Sequence, residues 1–114
     1  MSDCLFCKMV KGDIQPDVLY EDDDVLAFHD VSPQAPFHAL VIPKRHISTL
    51  NDVVPEDAAL IGKLFLAAAH CAAEAGVDEA GYRTVINCNA QAGQTVFHVH
   101  LHVLAGRDMQ WPPG

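Results

Sequence analysis

His98-Val99-His100-Leu101-His102-Val103-Leu104 alternates histidine with aliphatic residues until its last position. An extended strand sends successive side chains to opposite faces, about 6–7 Å apart between alternate residues. The three imidazoles therefore share one face, and Val99, Leu101 and Val103 share the other. The aliphatic face asks for a core to pack on. The imidazole face has three readings on its residues alone. It is a polar strand surface, although Thr, Lys, Glu or Ser are the usual occupants of such a face. It is a metal site, because histidines two apart on a strand can share a zinc ion. Or it is a nucleophilic centre acting at phosphorus, one imidazole attacking and its neighbours orienting it.

Working outward from this strand, Val96 to Leu104 is the last of about five. Val18-Leu19-Tyr20 and Val25-Leu26-Ala27-Phe28 flank the turn residues Glu21 to Asp24 and read as a hairpin. His38 to Ile42 is a third strand, ended by Pro43, and Tyr82 to Asn87 a fourth. Cys4 to Lys11 has Leu5, Phe6, Met9 and Val10 at helical spacing and predicts a short helix ending near Gly12. Between Pro55 and Gly76 lies one long helix, with Leu60, Ile61, Leu64, Phe65, Ala68 and Ala72 on its apolar face. Strands do not alternate with helices as βαβ units do, so the expected class is α+β with an antiparallel sheet, one domain over residues 1–114.

Seven Lys and Arg stand against fifteen Asp and Glu, a net charge of −8. Such a chain repels phosphate backbones, which argues against a sequence-independent grip on nucleic acid. A single nucleotide is still within reach of backbone N–H groups and neutral donors. No apolar run approaches the ~18 residues of a membrane helix. The start has neither a basic segment nor an apolar signal core, so a cytoplasmic location is expected, with no disulfide framework.

The histidine run matches the alternating signature of the histidine triad family. The resemblance continues in Phe28-His29-Asp30-Val31-Ser32-Pro33-Gln34-Ala35-Pro36, in Val41-Ile42-Pro43-Lys44-Arg45-His46, in Gly93-Gln94-Thr95-Val96-Phe97 and in Trp111-Pro112-Pro113-Gly114. The chain resembles the histidine triad nucleotide-binding branch, the purine nucleoside phosphoramidases. The resemblance implies that His100 attacks the α-phosphorus of an adenosine or guanosine phosphoramidate, that His102 binds a phosphate oxygen, and that His98 and His38 complete the row. It implies phosphate-side and leaving-group contacts from Asn87, Gly93, Gln94 and Thr95, where many relatives carry Ser at the position of Thr95. Asp30 is implied to accept the ribose hydroxyls, with His29 beside it, and Leu5, Phe6, Phe28 and Val31 to form the purine slot. No cofactor is required for that chemistry. Three other activities stay open: dinucleoside polyphosphate hydrolysis, metal-dependent hydrolysis with the histidine row as ligands, and non-catalytic nucleotide binding.

Cys4, Cys7, His46 and His98 make a sufficient ligand set for tetrahedral zinc, and some relatives bind a structural metal at these positions. The other reading makes the two cysteines small apolar residues of the first helix. Cys71 and Cys88 suggest no function. The resemblance also implies a homodimer, its sheet continued across the interface, with Trp111 reaching the partner's site. The alternative is a tail folded back on its own subunit.

Overall fold

A computed structural model describes residues 3–114 of the chain. Met1 and Ser2, part of the start expected to carry no signal segment, lie outside them. Val18–Glu21 (β1) and Val25–His29 (β2) form the expected hairpin, whose turn is closed by Asp22. Its carboxylate accepts from the N–H groups of Asp24 and Val25 at 2.8 and 2.9 Å, an Asx arrangement suited to a tight reversal. Phe37–Pro43 (β3), Tyr82–Val85 (β4) and Leu101–Ala105 (β5) complete one antiparallel sheet of order β1-β2-β3-β5-β4. The fold is α+β, as the alternating patterns indicate.

Two helices cover opposite faces. The long helix, Ala58–Glu74 (α2), packs Leu64, Ala67, Ala68 and Cys71 on Val25, Ala27, Ala39, Val41, Val99, Leu101 and Val103. Small alanines let the helix axis approach the sheet, so Ala67 and Cys71 enter the core while Phe65 turns outward and stays 45% exposed. Pro55 belongs not to α2 but to a separate 3₁₀ turn, Pro55–Asp57. There the Asp57 carboxylate accepts from the Val54 N–H and pairs with Arg45. The short helix, Leu5–Lys11 (α1), sits on the other face, where Phe6 joins Phe28, Leu26, Leu40 and Ile42.

The structure corrects the last strand. It begins at Leu101, not Val96, and residues 96–98 form a bend. The cause lies across the ladder. Val41 pairs with Leu101, so continuing the register sets Pro43 opposite Val99. Proline has no N–H to donate and ends the pairing. The Val99 N–H donates instead to the Ile47 carbonyl at 2.7 Å. On the other side β4 stops at Val85, opposite His102, short of the expected Asn87. The two faces of the motif survive the change: Val99, Leu101 and Val103 all reach the α2 core.

The C-terminal tail does not fold back as a lid. Trp111 is 82% exposed, and Arg83 on β4 holds the carbonyl of Gln110 at 3.1 Å.

Candidate active site

A cavity of about 450 Å³ opens between α1, the end of β2, the middle of β3 and the start of β5. Leu5, Phe6 and Met9 of α1 and Phe28 and Leu40 of the sheet give it an apolar wall. His100, His102, Thr95 and Asp30 bring its polar groups. Its size and mixed lining suit a ligand of nucleotide dimensions.

The hydrogen bonds around the histidines assign their tautomers. His100 presents Nδ1 to the carbonyl oxygen of His98 at 2.7 Å. A carbonyl only accepts, so Nδ1 carries a proton, and in the neutral ring the lone pair is on Nε2. The Gln34 N–H donates to Nδ1 of His38 at 2.9 Å. An Nδ1 that accepts an N–H carries no proton, so the ring's proton is on Nε2; His38 is buried, and burial lowers its pKa despite the opposing charge of Asp30. That Nε2 lies 2.9 Å from Nδ1 of His102 and 3.3 Å from Asp30 Oδ2. His102 therefore accepts on Nδ1 and carries its own proton on Nε2. Burial, reinforced by His100 and His38, pushes the pKa of His102 down to about 4. The outcome is a bare nitrogen on His100 beside an N–H donor on His102, with ring centroids 5.0 Å apart. This combination can attack an electrophilic phosphorus and hold one of its oxygens.

His98 stands apart from this pair. It is fully buried, and its Nε2–H donates to the Pro43 carbonyl at 2.7 Å. Burial lowers its pKa. Its Nδ1 points at a second cluster, 3.4 Å from Cys4 Sγ, 3.6 Å from Cys7 Sγ and 3.2 Å from His46 Nδ1. His46 in turn directs Nε2 at Ser48 Oγ, 3.1 Å away. Two sulfurs and two ring nitrogens thus converge within 4.8 Å of one another. The Pro43 carbonyl makes Nε2 of His98 a donor and turns the His98 Nδ1 lone pair toward the cluster, where His46 Nδ1 and two sulfurs can join it around a cation. The residues can hold a metal ion.

Over residues 11–109 the chain matches the family model described as the HIT domain. It belongs to the HIT family. An uncharacterized HIT-like protein of Synechococcus elongatus is 51% identical over 98% of this chain and 97% of its own length. The purine nucleoside phosphoramidase of Escherichia coli is 44% identical over 92% of this chain and 88% of its own. Among solved structures, a HIT family hydrolase from Legionella pneumophila superposes with a TM-score of 0.96 at 50% identity, covering 98% of this chain and all of that one. A histidine triad protein from Clostridium difficile gives 0.93 at 40% identity, covering 96% of each.

Of the residues singled out in the sequence of this HIT protein, Leu5, Phe6, Phe28, His29, Asp30, Val31, Thr95, His100 and His102 line the cavity. Asn87, Gly93 and Gln94 lie outside the lining. Gln94 is buried and its amide serves the loop: Oε1 accepts from the Asn89 N–H, and Nε2 donates to the Ser48 and Val96 carbonyls. Asn87 borders a separate groove of about 560 Å³ along β4, together with Arg83, Val85 and Trp111. Sequence reasoning missed Met9, Ile14, Gln15, Pro16, Asp17, Leu40 and Val96 in the cavity wall. Leu40 was accessible as the β3 residue opposite His102. The segment 14–17 gave no signal, because it has no periodicity and reaches the cavity as a loop.

Proposed function

We propose that this HIT protein is a hydrolase of purine nucleoside 5'-phosphoramidates that works through a nucleotidyl-histidine. The observation that carries the proposal is the fixed tautomer of His100, whose bare Nε2 belongs to a ring in the cavity wall. In the first step that lone pair forms a bond to the α-phosphorus. The P–N bond breaks, its electron pair leaves with the amine, and the amine takes up a proton from solvent, which the Thr95 hydroxyl at the cavity border can relay. His102 Nε2–H holds a phosphate oxygen. The adduct leaves His100 cationic, and the His98 carbonyl on Nδ1 stabilises that charge. Water then attacks phosphorus and gives up a proton to solvent, the P–Nε2 bond breaks, and nucleoside monophosphate departs with the lone pair restored to His100. The apolar wall takes the purine and Asp30 the ribose hydroxyls.

The Cys4, Cys7, His46 and His98 cluster is the place for a structural zinc. A tetrahedral ion spaces two nitrogens about 3.3 Å apart and a sulfur from a nitrogen about 3.6 Å apart, close to the observed separations. Zinc supplies fold stability there and takes no part in the steps above. Exposed Trp111 and the open edge of β4 suit a homodimer.

His100→Asn tests the mechanism. It keeps much of the ring's size but removes the nucleophile. Turnover of an adenosine phosphoramidate should fall by about four to six orders of magnitude, as when other covalent nucleophiles are lost, while adenosine monophosphate still binds. Turnover within tenfold of the parent excludes His100. Mass spectrometry of quenched parent protein should show one nucleotide added to the peptide holding His100. A parent faster on diadenosine polyphosphates than on phosphoramidates moves the assignment to that hydrolase branch.

A further inference from the structure

The metal-ligating cluster and the nucleotide cavity share two structural parts. One is α1. Cys4 is its N-cap and Cys7 lies in its first turn, while Leu5, Phe6 and Met9 of the same helix form a wall of the cavity. The other is the segment 98–100, in which the His98 ring faces the cluster and the His98 carbonyl fixes the tautomer of His100. Phe6 joins the two. Its ring meets His98 edge-on with centroids 5.9 Å apart, His100 at 5.1 Å and Phe28 at 5.6 Å. Phe6 is buried, so it cannot move without disturbing all three partners.

We propose that metal occupancy of the cluster and nucleotide occupancy of the cavity are thermodynamically coupled, with Phe6 and His98 as the positioning residues that carry the coupling. The proposal rests on the reading of the cavity as a nucleotide site. The physical cause is ordering. The four ligands come from α1, from the stretch after β3 and from the bend before β5. A helix of seven residues has little stability of its own, and α1 depends on its attachments. A cation that ties Cys4 and Cys7 to His46 and His98 fixes the wall against which the purine packs. Nucleotide then binds without meeting the full cost of ordering that wall. Linkage makes the effect reciprocal: nucleotide must raise metal affinity by the same factor.

The test measures both sides of this cycle. Affinity for adenosine monophosphate is determined by calorimetry on zinc-loaded and on chelator-stripped protein. Affinity for zinc is determined by competition with a chromophoric chelator, with and without adenosine monophosphate. Both factors should agree and reach at least fivefold, the lower end of common coupling strengths. Because stripping all metal risks unfolding the chain, His46→Asn provides the second arm. His46 is an exposed ligand, so its loss weakens the cluster without opening the core. At limiting zinc this variant should bind adenosine monophosphate more weakly than the parent, and excess zinc should restore it. Equal nucleotide affinity in loaded and stripped protein, or a His46→Asn defect that excess zinc leaves unchanged, overturns the coupling while leaving the nucleotide site intact. No binding of adenosine monophosphate in any state overturns both the coupling and the reading of the cavity.

Discussion

At the scale of single residues the site depends on where a few protons sit. Burial disfavours the charged forms of His38 and His102 and pushes His102 down to about 4. An unfolded chain titrates its histidines near 6.5 (roughly). Between these values the unfolded state binds protons that the folded state refuses, so stability is present above the unfolded value and is lost as pH falls toward 4. Thermal melts at fixed metal, without nucleotide, should therefore show the parent losing stability from pH 6.5 to 4.5. In His102→Asn that slope should be shallower by up to about one proton, or roughly 1.4 kcal/mol per pH unit. Identical slopes in parent and variant would show that His102 is not held neutral. Most of this site could be read from sequence, since side-chain identity selected His100, His102, His38 and Asp30. Its backbone parts could not. The carbonyls of His98 and Pro43 and the N–H of Gln34 fix the tautomers, and every residue but proline offers the same two groups.

At the scale of elements, strand and helix existence followed from periodicity, and the errors fell at ends. The last strand was expected to begin at Val96 because Val96 to Leu104 keeps a strand-like composition. Its true start depends on Pro43, more than fifty positions away and brought opposite only by the β3 register. The turn after β5 gave no sign either. Gly106 has φ +94°, and a Cβ built there would lie 2.8 Å from Cβ of Pro36. Both the positive φ and the contact oppose any side chain. Gly106→Ala should thus destabilise the fold by about 1–3 kcal/mol, seen as a lower denaturant midpoint with an unchanged slope. Gly62, with open space around its Cβ position inside α2, is the control. Gly62→Ala should be neutral or stabilising by up to about 1 kcal/mol. Loss at position 62 comparable to that at 106 would refute the local explanation.

At the scale of the whole molecule the described residues form an open sheet with β1 and β4 at its edges. β4 is an edge strand, and beside it the groove bordered by Asn87 and Arg83 runs to Trp111, Pro113 and Gly114. A tryptophan with most of its surface in water forgoes the burial that usually places this residue type. Two prolines stiffen the tail and lower the entropy lost when it docks. Since the tail does not cover its own core, a second copy of the chain is the proposed partner, with Trp111 lying on the leaving-group side of that copy's cavity. The consequence is a selective defect. Deleting residues 110–114 should change the ranking among phosphoramidates that share adenosine but differ in the amine, because Trp111 would touch only the amine. Affinity for adenosine monophosphate, which lacks the amine, should change little. Sedimentation of the parent and of the truncated chain tells whether the defect follows from separation of the two copies or from loss of the contact itself. If truncation slows every substrate by one common factor, or weakens monophosphate binding as strongly as it alters turnover, the tail contributes only to assembly and has no role in choosing the leaving group.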